Sequence, residues 1–160
     1  MVEQGHAVRA TTRRERGRAA IESTGAECWI GTPDRLATLR GALENVTVAC
    51  WMLACARGDE HELAALHSSR LEFFLGQAID TTARGLIYDA WTMRTTEGSA
   101  RGPSAEMLAR GERIFRALTE LNAIPAVVLG GEQGAPQIPD DRAWIAAADD
   151  AVAALLGAPR

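Results

Sequence analysis

Residues 46–53 read Val-Thr-Val-Ala-Cys-Trp-Met-Leu, and this stretch decides the fold of the chain. Almost every position is apolar or β-branched, so the segment has no polar face to turn toward water. Such a run is typical of a strand covered on both faces, as in parallel sheets. Extended to residue 56, it is still much shorter than the roughly 20 residues of a membrane span. We therefore expect a buried strand and no membrane-spanning segment.

The segments on either side alternate between strand and helix patterns. Strands are predicted at residues 6–12, 27–30, 46–53, 84–91 and 123–129, with loops at 92–102 and 134–139. Helices are predicted at 13–23, 33–45, 60–78, 104–121 and from 141 onward. Strict alternation implies right-handed βαβ units. The sequence thus predicts one α/β domain whose parallel sheet is flanked by helices.

Each predicted helix has suitable terminal residues. Thr32, Asp59, Ser104 and Asp140 are expected N-caps, Pro33 suits a first helical position, and Gly25 suits a C-terminal cap. The apolar stripes predict the following inward-facing residues: Leu36, Leu39, Leu43, Leu63, Leu66, Leu71, Phe74, Leu75, Ala78, Met107, Leu108, Ile114, Phe115, Leu118, Leu121, Trp144, Ile145, Val152, Leu155 and Leu156.

The composition excludes several function classes. All 17 basic residues are arginine, so the chain has no Schiff-base lysine, no P-loop lysine and no Tyr-x-x-x-Lys pair. The net charge of -4 argues against a nucleic-acid partner. Three cysteines without a signal peptide favour a reduced, cytoplasmic protein with inert, buried thiols. The spacing of Cys55, His61 and His67 matches no common zinc pattern, so no metal is expected.

Several segments, in their order, resemble a known family. Residues 5–14, Gly-His-Ala-Val-Arg-Ala-Thr-Thr-Arg-Arg, resemble the second strand of NAD(P)-binding Rossmann domains. The similar type is the extended and atypical short-chain dehydrogenase/reductase, including epimerase/dehydratase and NmrA-like branches. Residues 31–39 are similar to that family's segment after strand three, 86–90 to its fifth strand and 122–129 to its sixth. The resemblance implies a Rossmann-like sheet and a dinucleotide ligand.

One departure from the family concerns the N-terminus. Residues 1–5 resemble the tail of the family's first helix, and the first strand with its Gly-rich, phosphate-binding turn is missing. In the strand order 3-2-1-4-5-6, that strand lies between the second and the fourth. Two outcomes remain open. Either the chain is an N-terminally incomplete form of a longer protein, or the flanking strands close the gap directly.

A second departure concerns catalysis. The resemblance implies a Ser, Tyr and Lys set, but the helix that should carry Tyr and Lys has neither, and the single tyrosine, Tyr88, lies inside a predicted strand. Tyr88 is expected to pack in the core. An oxidoreductase or epimerase remains one interpretation. The alternatives are a non-catalytic NADP-sensing or regulatory module, as in NmrA-like proteins, and an inactive fragment.

The resemblance also implies the residues of a cofactor site. Arg13 and Arg14 follow strand two, where an arginine meets the 2′-phosphate of NADP and an acidic residue would bind the ribose of NAD. NADP is therefore favoured over NAD, although a solvated basic turn is the alternative for this pair.

Five further positions complete the predicted site. Thr32 and Pro33 would flank the adenine, and Leu53, Ala54 and Ala90 would line the cofactor, with ordinary strand-end packing as the alternative. Any substrate would be a small molecule, and the sequence leaves oligomerisation open.

Overall fold

The computed structural model describes residues 1–91, 102–130 and 141–157. The predicted loop at 92–102, apart from Gly102, lies outside these residues, and so do the predicted loop at 134–139 and the predicted cap Asp140. The strands are β1 (Arg9–Thr12), β2 (Glu27–Ile30), β3 (Val48–Trp51), β4 (Gly85–Asp89) and β5 (Ala126–Leu129). The α-helices are α1 (Arg18–Glu22), α2 (Glu60–Leu66), α3 (Ser69–Ile79), α4 (Ala105–Leu121) and α5 (Asp141–Gly157). The predicted α/β alternation is confirmed.

The described strands form two parallel sheets. β1 pairs with β2, with Arg9 opposite Glu27. In the second sheet β4 lies between β3 and β5, with Val48 opposite Gly85 and Leu86 opposite Ala126. The flanking strands β1 and β3 do not pair with each other. The outcome in which they close the gap directly is therefore wrong.

β4 is the centre of the molecule, and all five of its residues are buried. One face, with Leu86 and Tyr88, packs against α3 and α4 in a cluster that also contains Trp51 and Phe115. The other face, with Ile87, packs against α5. A strand covered on both sides favours apolar residues, and Leu86 and Ile87 in the middle of β4 fit this pattern.

Two predicted helices near the N-terminus are only partly formed. The segment 13–23 begins with a 3-10 turn at Glu15–Gly17, because Arg14 is still extended (φ -140°, ψ 142°), and α1 follows. The segment 33–45 holds two 3-10 turns, Leu36–Leu39 and Gly41–Leu43, instead of an α-helix.

Thr32 is consequently not the predicted helix cap. Its hydroxyl accepts from the Asp34 N–H at 3.2 Å and donates to the Asp34 carboxylate at 3.1 Å. The Thr32 N–H donates to Oγ1 of Thr38 at 2.9 Å. Short polar side chains that bond their own backbone in this way compete with helix formation.

Later helices follow the sequence more closely. Asp59 accepts from the Glu62 N–H and Ser104 from the Met107 N–H, so both predicted caps are confirmed. Gly25 follows α1 at φ 82°, and its N–H donates to the Glu22 carbonyl. The single helix predicted at 60–78 is instead broken between α2 and α3 at residues 67 and 68.

Three predicted inward residues are exposed. Leu121, at the end of α4, is 80% exposed. Ile145 and Leu156 lie toward the two ends of α5, whose middle carries the buried Ala148 and Val152. Helical periodicity predicts the face of a helix but not how far along that face the packing extends. None of the helices in the described ranges is long and apolar enough to cross a bilayer.

Candidate functional site

The predicted cofactor residues all follow the carboxyl ends of strands. Arg13 and Arg14 follow β1, and both are exposed. Thr32 and Pro33 follow β2 and are half-buried. Within one parallel sheet such residues lie at the same edge, where open α/β sheets bind ligands. The structure therefore places these four residues together at one edge of the β1–β2 sheet.

The arginines of this edge differ in their partners. Arg18 is paired with Glu15 and Glu22 on the surface of α1. Within the described ranges, the guanidinium groups of Arg13 and Arg14 make no ion pair or hydrogen bond. The carbonyl of Arg14 accepts from the Gly17 N–H at 3.0 Å, which fixes the backbone of the turn. These two side chains are free to meet an anion from solution.

An ion pair joins the edge of this sheet to the other sheet. The carboxylate of Asp34, just after β2, lies 2.8 Å from Nη1 of Arg70. Arg70 is in the first turn of α3, and α3 runs back along the sheet before β4 begins. The start of α3 is therefore at the carboxyl end of the second sheet. The pair thus places the carboxyl ends of both sheets on the same side of the molecule.

The predicted residues of the second sheet are largely enclosed. Leu53 is half-buried in the turn after β3, and its carbonyl accepts from the Ala56 N–H at 3.0 Å. Ala54 is 2% exposed and Ala90 3% exposed, and the Ala90 N–H donates to the Leu129 carbonyl. The side chains of Ala54 and Ala90 pack inward, so at this edge these residues present mainly their backbone.

A buried carboxylate lies at the same edge, and the sequence analysis did not assign it. Asp89 ends β4 and is 2% exposed. One oxygen accepts from the Trp91 N–H and the other from Nε1 of Trp144 on α5, both at 3.2 Å. Burial raises the pKa of Asp89, and these two bonds oppose the rise. An acidic residue inside an otherwise apolar strand was the available signal.

The single tyrosine of the chain is enclosed at the other side of β4. Tyr88 is 0% exposed, and its hydroxyl donates to the Leu108 carbonyl at 3.2 Å. Nδ1 of His67, also 0% exposed, lies 2.7 Å from the same oxygen. Burial raises the pKa of Tyr88 above its usual range, with smaller contributions from the charges of Asp89 and Glu112. The expected core position of Tyr88 is confirmed.

The glycines of this edge do not form an open cradle for a pyrophosphate. A Cβ on Gly31 would stand 2.6 Å from Leu39, and one on Gly130 would stand 2.2 Å from Trp91. A Cβ on Gly17 would stand 2.5 Å from Thr12. The chain itself fills the space beside all three. These three glycines therefore leave no open space beside them for a pyrophosphate.

The cysteines and histidines differ partly from expectation. Cys28 is buried, but Cys50 and Cys55 are exposed, so the expectation of buried thiols is wrong for those two. Cys55 lies in the turn after β3, and Cys50 is the exposed residue of β3. Within the described ranges, no group of three or more His, Cys, Asp or Glu side chains could hold a metal ion.

Solved structures share the fold of this chain. The protein solved as gox2253 superposes with a TM-score of 0.60 at 20% identity, covering 79% of this chain and 44% of its own. The triphenylmethane reductase of Citrobacter sp., complexed with NADP(H), gives 0.54 at 17% identity, with 75% and 38% covered. A short-chain dehydrogenase/reductase superfamily protein from Agrobacterium tumefaciens, with bound NAD, gives 0.58 at 17%, with 79% and 42% covered.

The chain has a Rossmann-like fold. The chain spans less than half the length of these three solved chains. No protein-family model matches the sequence, and no curated protein matches it significantly.

Proposed function

We propose that this Rossmann-like chain binds NADP(H) through its adenosine end and acts as a binding or sensing module without the family's tyrosine-lysine chemistry. The observation that carries the proposal is the pair of exposed arginines, Arg13 and Arg14, with unpaired guanidinium groups at the carboxyl end of β1. In a Rossmann-like sheet this position meets the 2′-substituent of the adenosine ribose.

The charge of the pair selects the phosphorylated cofactor. A guanidinium binds a phosphate through two parallel, charge-assisted hydrogen bonds, which are stronger than bonds between neutral groups. A ribose hydroxyl would need an acceptor, and residues 11–14 contain no acidic side chain. This contrast supports NADP over NAD.

The neighbouring residues suit the adenosine. Thr32 and Pro33 are half-buried at the end of β2, beside the arginine turn. Leu53, Ala54 and Ala90 would line the path toward the second sheet, whose carboxyl end is held on the same side by the Asp34–Arg70 pair. The space beside Gly31, Gly17 and Gly130 is filled by Leu39, Thr12 and Trp91. The described residues therefore add little to pyrophosphate binding.

Hydride transfer by the family's route is disfavoured. The chain has no lysine, and its single tyrosine is enclosed between His67 and α4 with its hydroxyl hydrogen-bonded. A general acid must reach the atom that it protonates, and Tyr88 has no route to solvent. A sensing or regulatory role therefore fits the site better than an oxidoreductase or epimerase.

Calorimetric titration of the purified chain tests the proposal. NADP⁺ and NAD⁺ are compared in the same buffer, and the proposal expects NADP⁺ to bind at least about tenfold more tightly, since bonds to charged groups contribute roughly 1.5–3 kcal/mol each. NADPH oxidation is then followed with several small carbonyl compounds. Equal affinity for both cofactors would remove the 2′-phosphate contact, and turnover would restore the enzymatic alternative.

A further inference from the structure

The arginine turn, residues 12–17, joins the end of β1 to the start of α1. Thr12 is the last residue of β1, and Gly17 comes directly before α1. The Thr12 carbonyl accepts from the Gly31 N–H at 2.9 Å, which ties the first residue of the turn to the end of β2. The direction of the two arginines that follow depends on how the rest of the turn is held.

One carbonyl oxygen holds the backbone of this turn. The carbonyl of Arg14 accepts from the Gly17 N–H at 3.0 Å and from the Thr12 hydroxyl at 3.4 Å. The first bond opens the 3-10 turn, and the second comes back from the end of the strand. The hydroxyl bond closes a ring of backbone atoms that contains Arg13 and Arg14. It therefore limits the directions in which their Cα–Cβ bonds can point.

Gly17 leaves room for the Thr12 side chain in this position. A Cβ on Gly17 would stand 2.5 Å from Oγ1 of Thr12 and 3.2 Å from its Cβ. The backbone of Gly17 (φ -84°, ψ -12°) is one that other L residues also adopt, so the glycine is needed for space and not for its conformation. Since a β-branched side chain is stiff at χ1, threonine cannot swing aside freely. A methyl group at position 17 would push the hydroxyl off the Arg14 carbonyl.

The acidic side chain of the turn is held from the helix side. Glu15 pairs with Arg18, and Arg18 also pairs with Glu22. The hydrogen bond from Arg18 lowers the pKa of Glu15, so this carboxylate stays charged and paired. The turn is thus fixed by Thr12 at its start and by α1 at its end, with the two arginines between.

We infer that Thr12 is a positioning residue that determines the cofactor specificity of the proposed site. Its hydroxyl, packed against Gly17, holds the arginine turn in the conformation in which Arg13 and Arg14 bind a 2′-phosphate. This role rests on the proposed function, because it has a meaning only if the two guanidinium groups contact NADP(H).

A held turn matters more for NADP(H) than for NAD(H). A bidentate bond between a guanidinium and a phosphate depends on the geometry of both groups. A turn that already has its bound shape loses less conformational entropy when the ligand binds. NAD(H) has no 2′-phosphate, so loosening the turn should weaken NADP⁺ binding and leave NAD⁺ binding nearly unchanged.

Calorimetric titration of the whole chain with NADP⁺ and NAD⁺ tests this role. Thr12→Val keeps the branched shape and removes the donor, and it should lower the ratio of the two affinities by about two- to tenfold, through NADP⁺ alone. Thr12→Ser keeps the hydroxyl and should keep the wild-type ratio. Thr11→Val is the matched control, because Thr11 is the exposed neighbour on the same strand.

Gly17→Ala tests the same contact from the other side, and it does not depend on the folding of Thr12→Val. It should lower the same ratio, because the added methyl group displaces the Thr12 hydroxyl. Changes at two residues in contact are not additive when one acts through the other. In a Thr12→Ala background, Gly17→Ala should therefore have little further effect on the ratio.

Amide hydrogen exchange by NMR tests the turn without any cofactor. The Gly17 N–H donates to the carbonyl that the Thr12 hydroxyl holds, so its exchange should be faster in Thr12→Val than in wild type or Thr12→Ser. Exchange at Gly17 that is the same in all three proteins would overturn the positioning role.

Three titration results would also overturn it, given a wild type that prefers NADP⁺. These are an unchanged ratio in Thr12→Val, an equal loss for both cofactors, which marks a merely structural role, and additive losses for Thr12→Ala and Gly17→Ala. A wild type that binds both cofactors equally contradicts the proposed function itself, and the positioning role then fails with it. The wild-type titration thus separates the two failures.

Discussion

The hydroxyl of Tyr88 lies directly against Gly111 of α4. A Cβ at position 111 would stand 2.1 Å from the Tyr88 oxygen and 3.2 Å from the carbonyl oxygen of His67. Real Cβ atoms essentially never come within 3.0 Å of another heavy atom, so the contact with the Tyr88 oxygen is the prohibitive one. The glycine therefore allows α4 to approach β4 closely enough for Tyr88 to bond to the Leu108 carbonyl.

The first prediction concerns Gly111→Ala. In an open helix this change stabilises by up to about 1 kcal/mol, but here overpacking of about 1–3 kcal/mol should outweigh it. Urea unfolding should show a net loss of stability. Gly76→Ala on α3 is the matched control, because nothing lies within 4 Å of its Cβ position. A stabilised Gly111→Ala protein would contradict the packing described.

The second prediction concerns Tyr88→Phe. The change removes the donor to Leu108 and leaves Nδ1 of His67 without its partner, so we expect a loss of about 1–3 kcal/mol in unfolding free energy. Because Tyr88 is enclosed, the affinity for NADP⁺ should not change. A variant of normal stability with weakened NADP⁺ binding would show that Tyr88 reaches the ligand instead.

The third prediction is a pH dependence of stability. Burial lowers the pKa of His67 from 6.5 to about 4, and the nearby Leu53 backbone offsets only part of this. In the unfolded chain His67 is protonated below about pH 6.5, whereas in the folded chain it is protonated only below about pH 4. The contribution of His67 to the free energy of unfolding is fully present above the unfolded pKa of 6.5. It falls by up to about 3 kcal/mol as the pH drops from 6.5 to about 4.

Thermal unfolding of wild type and His67→Gln, measured from neutral pH down to about pH 4.5, checks this expectation. The variant should lose much of the pH dependence, whatever its absolute stability. His61→Gln is the control, since His61 is exposed on α2. Asp89 contributes in the opposite direction, because its raised pKa makes the folded state lose stability as the pH rises. Parallel curves for wild type and His67→Gln would refute the role of His67.

Much of the fold was predictable from local signals, whereas features set by tertiary contacts were not. The continuous apolar run around β3 and the caps at Asp59 and Ser104 correctly predicted a parallel α/β fold with those helix starts. The break between α2 and α3 was not predictable, because His67 turns inward to meet Tyr88, a residue 21 positions later. Periodicity carries no information about such a contact.

The candidate site shows the same division. Its residues were assigned through the family resemblance, and all of them follow the carboxyl ends of strands in the structure. The Asp34–Arg70 pair and the Asp89–Trp144 bond join distant segments, and no spacing rule brings them together. The order of the strands raised the question of whether β1 and β3 meet, and only the structure could show that they remain apart.

The fourth prediction concerns Arg13→Asp. An acidic group at the end of β1 would repel a 2′-phosphate and could accept a bond from a ribose hydroxyl. The affinity for NADP⁺ should fall by at least about tenfold, and that for NAD⁺ should fall less or rise. Arg113→Asp, an exposed position on α4, makes the same change of charge away from the site and serves as the control. Equal losses for both cofactors would remove the assigned role of Arg13.

The most direct test of the central claim is calorimetric titration of the wild-type chain with two fragments of the cofactor. 2′,5′-ADP carries the adenosine end of NADP with its 2′-phosphate, and 5′-AMP is the same fragment without it. We predict that 2′,5′-ADP binds at least about tenfold more tightly than 5′-AMP, because the proposed site binds the extra phosphate through Arg13 and Arg14. Equal binding of the two fragments, or binding of neither, would contradict the account.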